Sequence, residues 1–256
     1  MSTAGGADDG GGGRVLLEIR AKRFPAVGGA APKLAVRDLR LEAAPGAFVA
    51  LVGPSGCGKT TTLNIVAGLD RDFEGRVELP PGTRIGYVFQ TPRLLPWRTV
   101  EENVALVLDG EQRRSGIVDQ VLAEMDLTGV RSVYPSRLSL GMARRVALAR
   151  AFALRPTLLL MDEPFVSLDE PTAQRLRRLL LDLLREHPAT VLFVTHNLRE
   201  AIMLADPIVL LGPSPTHLIA EVPVPLTREQ RLDEAEIERF RAQLLANNET
   251  ASRLLL

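Results

Sequence analysis

The chain of 256 residues carries 31 Lys or Arg and 31 Asp or Glu, so its formal net charge is zero and we expect no nucleic-acid partner held by a basic field. Hydrophobic residues make up 46% of the chain and charged residues 24%, a globular composition, and no apolar run reaches the roughly 18 residues of a membrane-spanning helix. The single cysteine, Cys57, excludes an internal disulfide and is typical of a reducing compartment.

The first residues, MSTAGGADDGGGG, are small or polar and have neither the basic nor the apolar region of a secretion signal. We therefore predict that residues 1–13 form a flexible tail. The segments RVLLEI, LAVRDLRLE and GRVEL that follow are predicted to form an antiparallel edge region.

Three short apolar runs, at 47–52, 157–161 and 190–194, lie between turn or polar residues and do not alternate with polar residues. This pattern is typical of strands that are buried on both faces of a parallel sheet. Helical stretches follow the first two runs, at KTTTLNIVAGL and EPTAQRLRRLLLDLLREH. The alternation predicts an α/β core with helices on both faces of the sheet.

Residues 91–154 contain two or three helical patterns and no convincing strand, which predicts a helical subdomain inserted into the core. From about Arg228 the sequence REQRLDEAEIERFRAQLLA predicts a charged helix. We therefore divide the chain into the tail, one domain over 14–225 and a helical extension over 226–256.

The sequence GPSGCGKT, Gly53 to Thr60, matches the phosphate-binding motif G-x-x-x-x-G-K-[ST], between a predicted strand and a predicted helix. Its glycines let successive backbone N–H groups face a phosphate, Lys59 supplies a point charge, and the Thr60 hydroxyl is a ligand for Mg²⁺. Only three of the 31 basic residues are lysines, and one stands here. The predicted nucleotide contacts are Gly53, Pro54, Ser55, Gly56, Cys57, Gly58, Lys59, Thr60 and Thr61.

Adjacent carboxylates follow the second apolar run, and a histidine follows the third. Because ligands gather at the carboxyl ends of parallel strands, we expect these side chains to face the phosphate loop. Asp162 is predicted to hold Mg²⁺ through water, Glu163 to polarise the attacking water, and His196 to contact the γ-phosphate and orient the water. His187 and His217 are interpreted as structural.

The motifs GPSGCGKT, VFQ, LSLGM, LLLMDEP, SLD and VTH occur in the order and spacing of ABC-transporter ATP-binding subunits, which the chain resembles over roughly residues 14–220. The resemblance implies a P-loop NTPase core of RecA-like type with an antiparallel β edge region and an inserted helical subdomain. It implies ATP hydrolysis with Mg²⁺, with Phe24 stacked on adenine. Gln90 corresponds to the lid glutamine that senses Mg²⁺ and water.

The resemblance also implies a head-to-tail dimer of two copies with two ATP molecules between them. Ser139, Leu140, Gly141 and Met142 correspond to the signature that reaches the γ-phosphate bound by the other copy. Asp169 corresponds to the loop that links the two sites.

Leu140 departs from the glycine that the family usually has. The segment from Leu140 onward is strongly helix-forming and Ser139 is a good N-cap, so we predict a helix start that leucine accepts without backbone strain. The helix N-terminus and the N–H groups of Leu140 and Gly141 remain available to an anion. We therefore predict that the subunit hydrolyses ATP, with Leu140 adding bulk near the phosphates of the partner copy.

The sequence QTPRLLPWRTVEENV, residues 90–104, is similar to that of the nitrate, sulfonate and taurine group of importers. The resemblance implies a peripheral subunit on the cytoplasmic face of the plasma membrane. Its partners would be membrane permease subunits, contacted by residues 90–97, and indirectly a periplasmic solute-binding protein. Trp97 and Leu95 are either core residues or permease contacts.

Four alternatives differ from this interpretation. GMARR also resembles phospholipid-trafficking ATPases, so a lipid pathway or another export system competes with import. A non-transport ABC ATPase would need a coiled-coil insertion or tandem cassettes, and a P-loop kinase or GTPase would lack the signature. A catalytically silent binding module is supported by Leu140 alone.

Overall fold

The computed structural model describes residues 13–26, 31–247 and 252, so the predicted tail lies outside the described residues apart from Gly13. The strands are β1 (Val15–Phe24), β2 (Lys33–Ala43), β3 (Phe48–Val52), β4 (Glu74–Glu78), β5 (Ile85–Val88), β6 (Leu158–Asp162), β7 (Thr190–Thr195), β8 (Ile208–Leu211) and β9 (Leu218–Val222). The helices are α1 (Lys59–Val66), α2 (Val100–Ala105), α3 (Gly110–Arg114), α4 (Ile117–Glu124), α5 (Leu140–Ala153), α6 (Glu170–Glu186), α7 (Leu198–Leu204) and α8 (Glu234–Asn247).

The larger sheet has six strands in the order β5-β6-β7-β3-β8-β9. Its first five strands are parallel, and β9 pairs antiparallel with β8. The three predicted apolar runs form β3, β6 and β7, the central strands, so that part of the prediction is confirmed. The strands β5 and β8 have only four residues each, and the sequence pattern does not predict them.

The larger sheet is covered on both faces, which explains why its strands lack an alternating pattern. Along β6, Leu158 and Leu160 pack towards α1 and the small sheet, whereas Leu159 and Met161 pack towards α5, α6 and α7. All four are at most 1% exposed. Burial of both faces selects an uninterrupted apolar sequence.

The smaller sheet has the order β2-β1-β4 and is antiparallel throughout, as predicted for the edge region. Its inner face buries Leu17, Ile19 and Leu39, which pack with Leu51 of β3 and Leu63 of α1. The mixed α/β architecture predicted from the sequence is therefore confirmed.

Among the described residues, 91–154 contain four α-helices, two 3₁₀ turns and no strand. The sequence patterns indicated two or three, because α3 has only five residues and no buried side chain. The last of the four, α5, packs against α2 and α4 and also contacts β5 and α6. The division of the chain into a domain, a subdomain and an extension stays a prediction.

The C-terminal helix begins at Glu234 and not near Arg228, as the charged pattern had indicated. Residues 230–232 form a separate 3₁₀ turn, in which the side chains of Thr227 and Gln230 accept each other's backbone N–H groups. Asp233 then adopts an extended backbone, which ends the turn before α8 starts. Across the described part of the chain, no helix combines the length and apolarity needed to cross a bilayer.

Asn103 of α2 holds the loop before that helix. It is fully buried; its Oδ1 accepts from the N–H of Leu95 at 2.7 Å, and its Nδ2 donates to the carbonyls of Leu95, Arg98 and Thr99 at 2.9–3.2 Å. The loop presents Trp97, which is 68% exposed, so the alternative that Trp97 is a core residue is wrong.

We predict that Asn103→Ala lowers the free energy of unfolding by roughly 2–4 kcal/mol, because it leaves buried backbone groups without partners. Thr99→Ala is the matched control, since it removes only the N-cap of the same helix and costs about 1 kcal/mol. Urea denaturation of both variants measures the difference. Equal losses of stability would contradict the role assigned to Asn103.

Candidate active site

The phosphate-binding motif forms the turn between β3 and α1, with α1 starting at Lys59. Gly58 has φ of 118°, and a Cβ there would lie 2.5 Å from Oγ1 of Thr216, so the turn requires glycine. The Lys59 side chain is 4% exposed, and its Nζ donates to the carbonyls of Gly53 and Pro54 at 2.8 and 2.9 Å. The loop therefore wraps around one buried ammonium group.

Thr60 and Asp162 connect the loop to the central strand β6. The Thr60 hydroxyl donates to Oδ2 of Asp162 at 2.8 Å. Asp162 is 4% exposed, and burial raises the pKa of its carboxyl, although the hydrogen bond from Thr60 and the charge of Lys59 act in the opposite direction. This buried carboxylate and the hydroxyl beside it present hard oxygen ligands, and no cationic side chain of the described residues lies within 4.0 Å of the carboxylate.

The side chains of two predicted residues, His196 and Gln90, contact the carboxylate of a third, Glu163. Oε2 of Glu163 lies 3.2 Å from Nδ1 of His196 and accepts from Nε2 of Gln90 at 3.4 Å. Their positions follow from the sheet order, because Gln90, Glu163 and His196 come just after β5, β6 and β7, which are neighbours.

The backbone of Glu163 aims this carboxylate. Glu163 has φ of 45°, a left-handed conformation that costs a non-glycine residue roughly 1–2 kcal/mol, and its N–H donates to the carbonyl of Val194 at 2.9 Å. Its side chain is 13% exposed, whereas that of His196 is 50% exposed. The carboxylate is thus shielded from bulk water by its own neighbours while the imidazole faces outward.

The predicted signature residues form the start of α5. Ser139 is the N-cap, and its Oγ accepts from the N–H of Met142 at 3.2 Å. Leu140 is the first helical residue, as its helix propensity and the preceding serine predicted. Its side chain is exposed, at 42%. Ser139, Gly141 and Met142 line a cavity with residues of α6, and none of the residues of the phosphate loop lines it. A single chain does not bring the two motifs together.

Asp169 and Gly141 are connected through Thr172. The carboxylate of Asp169 caps α6 by accepting from the N–H of Thr172 at 3.0 Å, and this hydrogen bond lowers the pKa of Asp169. A Cβ on Gly141 would lie 2.7 Å from Cγ2 of Thr172. The first turns of α5 and α6 are therefore in tight contact, which the sequence motifs did not indicate.

Phe24 ends β1 and is 40% exposed. Nζ of Lys22 lies 5.0 Å from the centre of its ring. An exposed aromatic ring beside a cation is available for stacking, but its contact with adenine stays a prediction.

Arg144 of α5 is a site residue that sequence reasoning missed. It is 4% exposed, and its guanidinium donates to the carbonyls of Phe89, Gln90 and Val166. It thus joins the signature helix to the Gln90 segment and to the loop after Glu163. Its burial could have been predicted from helical periodicity, because Arg144 lies on the same face of α5 as the buried residues Ala147, Leu148 and Ala151.

Comparison with known proteins identifies the family. A model of the ABC transporter family matches residues 36–166. The chain belongs to the ABC transporter family. It is 44% identical over 228 residues to an aliphatic sulfonates import ATP-binding protein, SsuB, of Pseudomonas aeruginosa, covering 84% of this chain and 91% of that protein. An SsuB protein of Xanthomonas axonopodis pv. citri is 41% identical over 244 residues, covering 90% of this chain and 94% of that protein.

A solved structure of this family has the same fold. The dimeric ATP-binding cassette MJ0796, bound to ADP and Pi after hydrolysis, superposes with a TM-score of 0.71 at 31% identity and covers 83% of this chain and all of that one. The predicted ABC ATPase fold is thus confirmed, and this ABC protein is an ATP-hydrolysing transporter subunit. The roles of the individual site residues stay predictions.

We predict that Asp162→Asn raises the stability of the nucleotide-free protein by roughly 1 kcal/mol near neutral pH, because asparagine keeps an acceptor for Thr60 without a buried charge. Since burial raises the pKa of Asp162, the folded protein binds more protons than the unfolded chain between the ordinary and the raised value. Stability is therefore lost as the pH rises through that window.

Urea denaturation of wild type and Asp162→Asn at about pH 5 and about pH 8 tests this prediction. The advantage of the variant should be larger at the higher pH. A variant that is less stable than wild type at both values would contradict the assigned effect of burial.

Proposed function

We propose that this chain powers the import of a small solute of the nitrate, sulfonate and taurine type through a separate membrane permease, from the cytoplasmic face of the membrane. The observation that carries hydrolysis is the meeting of Glu163, His196 and Gln90 beside the lysine-bearing loop. Import of a sulfonate is supported by the relatives, which are named as aliphatic sulfonates import ATP-binding proteins.

ATP would bind along residues 53–61. The buried Lys59 ammonium and the loop N–H groups neutralise and orient the phosphates, helped by the N-terminus of α1. The exposed Phe24 ring would stack on adenine. These contacts hold the triphosphate at the carboxyl end of β3, beside the ends of β6 and β7.

Mg²⁺ would be held by Thr60, Asp162 and Gln90, whose hydroxyl, carboxylate and amide oxygens suit this ion. The fit is supported by Asp162, because no cationic side chain of the described residues lies within 4.0 Å of its buried carboxylate, and burial raises its pKa. When bound, the ion supplies positive charge to the phosphate oxygens.

Glu163 would act as the general base for the attacking water, with His196 and Gln90 orienting the reactants. The left-handed turn fixes the carboxylate at the end of β6, and the two neighbouring side chains restrict where it can point. His196 is exposed enough to contact the γ-phosphate from the open side. The residues needed for water activation therefore come from one chain.

The second half of each ATP site would come from another copy of the chain. Ser139, Leu140, Gly141 and Met142 form an exposed helix start that shares no cavity with the phosphate loop of its own chain. The structure-matched cassette MJ0796 is a dimer with bound ADP and Pi. Because both copies would contact the phosphates of each ATP, binding would close the dimer. Hydrolysis would remove these shared contacts, and the dimer would open.

The closed dimer would act on the permease through residues 90–97. Trp97 is exposed there on a loop that Asn103 fixes from beneath, and Arg144 connects Gln90 to the signature helix. A periplasmic solute-binding protein would deliver the solute to the permease and would not touch this chain. The phospholipid alternative is not favoured, because the relatives named above are importer subunits.

We predict that Glu163→Gln binds ATP normally but lowers the hydrolysis rate by at least about 100-fold, because the amide is a poor base. Size-exclusion chromatography with ATP and Mg²⁺ should show the variant as a stable dimer. Lys59→Ala is the companion variant, which should fail to dimerise because it binds ATP weakly. Full turnover by Glu163→Gln would refute its assignment as the base.

We predict that wild type hydrolyses ATP despite Leu140 and that Leu140→Gly changes the rate by less than about tenfold. The helix start and its N-cap do not depend on the residue at this position, since Leu140 is exposed and the cap is Ser139. Phosphate release by the purified complex measures both rates. An inactive wild type that glycine restores would instead assign a silencing role to Leu140.

A further inference from the structure

We propose that a second site, far from the nucleotide, binds an amphiphilic anion: one negatively charged headgroup on a short aliphatic chain. The site is a cavity of about 620 Å³ between α6, α7, the start of β3 and the residues that precede α8. This volume lies in the range of small-molecule sites in proteins.

The cavity lies at the opposite edge of the sheet from the ATP site. Its wall includes Gly46, Ala47 and Phe48, at the amino end of β3, whereas the phosphate loop follows the carboxyl end of that strand. The five residues of β3 separate this wall of the cavity from the phosphate loop, a distance of about 17 Å. A molecule in this cavity is therefore distinct from the bound nucleotide.

One part of the lining is apolar. Phe48 of β3, Leu181 of α6, and Met203 and Leu204 of α7 contribute side chains, and Leu232, which is 74% exposed, stands at the margin. Such a surface takes up an aliphatic chain and gains by removing it from water.

The rest of the lining is strongly cationic. Five arginines contribute to it against two carboxylates; the arginines are Arg177, Arg178, Arg185, Arg228 and Arg231, and the carboxylates are Asp182 and Asp206. Arg185 pairs with Asp182 at 2.8 Å, and Arg177 pairs with Glu170. Arg231 lies 4.0 Å from Asp206. Arg178 and Arg228 are exposed, and within the described part of the chain their guanidinium groups have no carboxylate within 4.0 Å and no hydrogen bond.

Arg231 makes the wall rigid before any ligand enters. Its guanidinium donates to the carbonyls of Ile202, Ala205, Val224 and Leu226 at 2.7–3.1 Å, which fastens the C-terminal extension to α7. The two unpaired guanidinium groups, one on α6 and one on the extension, therefore border a preformed cavity whose lining is apolar in one part. This combination suits a carboxylate, sulfonate or sulfate headgroup that accepts charge-assisted hydrogen bonds while its chain occupies the floor.

Isothermal titration calorimetry on the full nucleotide-free chain tests the site with octanesulfonate and octanoate. Both should bind saturably, and octanol should bind at least about tenfold more weakly, because it lacks the charge. A stronger response to the sulfonate would indicate an organic sulfonate as the source of the ligand, and a stronger response to the carboxylate a fatty acid. Absence of saturable binding by either anion would overturn the proposal.

Two variants locate the binding. Arg178→Gln combined with Arg228→Gln should weaken octanesulfonate binding at least about tenfold, and Met203→Trp should abolish it by filling the floor. Arg114→Gln is the matched control, because Arg114 is an exposed arginine of α3 that does not line the cavity. Unchanged affinity in the double variant, or an equal loss in the control, would overturn the assignment. Retained ATP binding shows that each variant is folded.

Discussion

The chemistry of this protein depends on the parallel alignment of neighbouring strands in its central sheet. Because β5, β6, β7 and β3 run in one direction and end at one edge, four turns that are distant in sequence deliver a glutamine, a carboxylate pair, a histidine and a phosphate loop to one place. Burial on both faces keeps these strand ends fixed. The apolar core therefore also fixes the positions of the polar side chains at the strand ends.

Interlocking contacts connect the site to the rest of the molecule. Arg144 is almost wholly buried, and burial lowers its pKa, yet its guanidinium bonds to backbone carbonyls on both sides of the site. A buried guanidinium that satisfies several carbonyls is costly to remove, since its partners would lose their donors. The signature helix and the Gln90 segment are therefore expected to move as one body when the site opens or closes.

Much of the fold and of the candidate site could be predicted from the sequence, for identifiable reasons. The central strands could be predicted because burial of both faces gives them uninterrupted apolar sequences. The contacts of Gln90 and His196 with Glu163 could be expected because neighbouring parallel strands end at the same edge of the sheet. The short strands β5 and β8 could not be predicted, since runs such as IGYV are too brief to separate from a loop. The helix α8 was placed too early because the charged pattern continues through a turn closed by Thr227 and Gln230. Neither Arg144 nor the cavity of arginines was visible, because both depend on contacts distant along the chain.

The close approach of Gly141 to Thr172 limits which substitutions the start of α5 can accept. Leucine fits at position 140 because its side chain leaves the helix on the open side, whereas one added carbon at position 141 meets the methyl group of the next helix. Adjacent positions of one motif are thus under different constraints: the exposed residue at 140 is limited by what docks against the helix start, and the residue at 141 by the interior of its own subunit. A side chain at position 141 would therefore disturb the packing of α5 on α6, whereas a change at position 140 alters only the surface of the helix start.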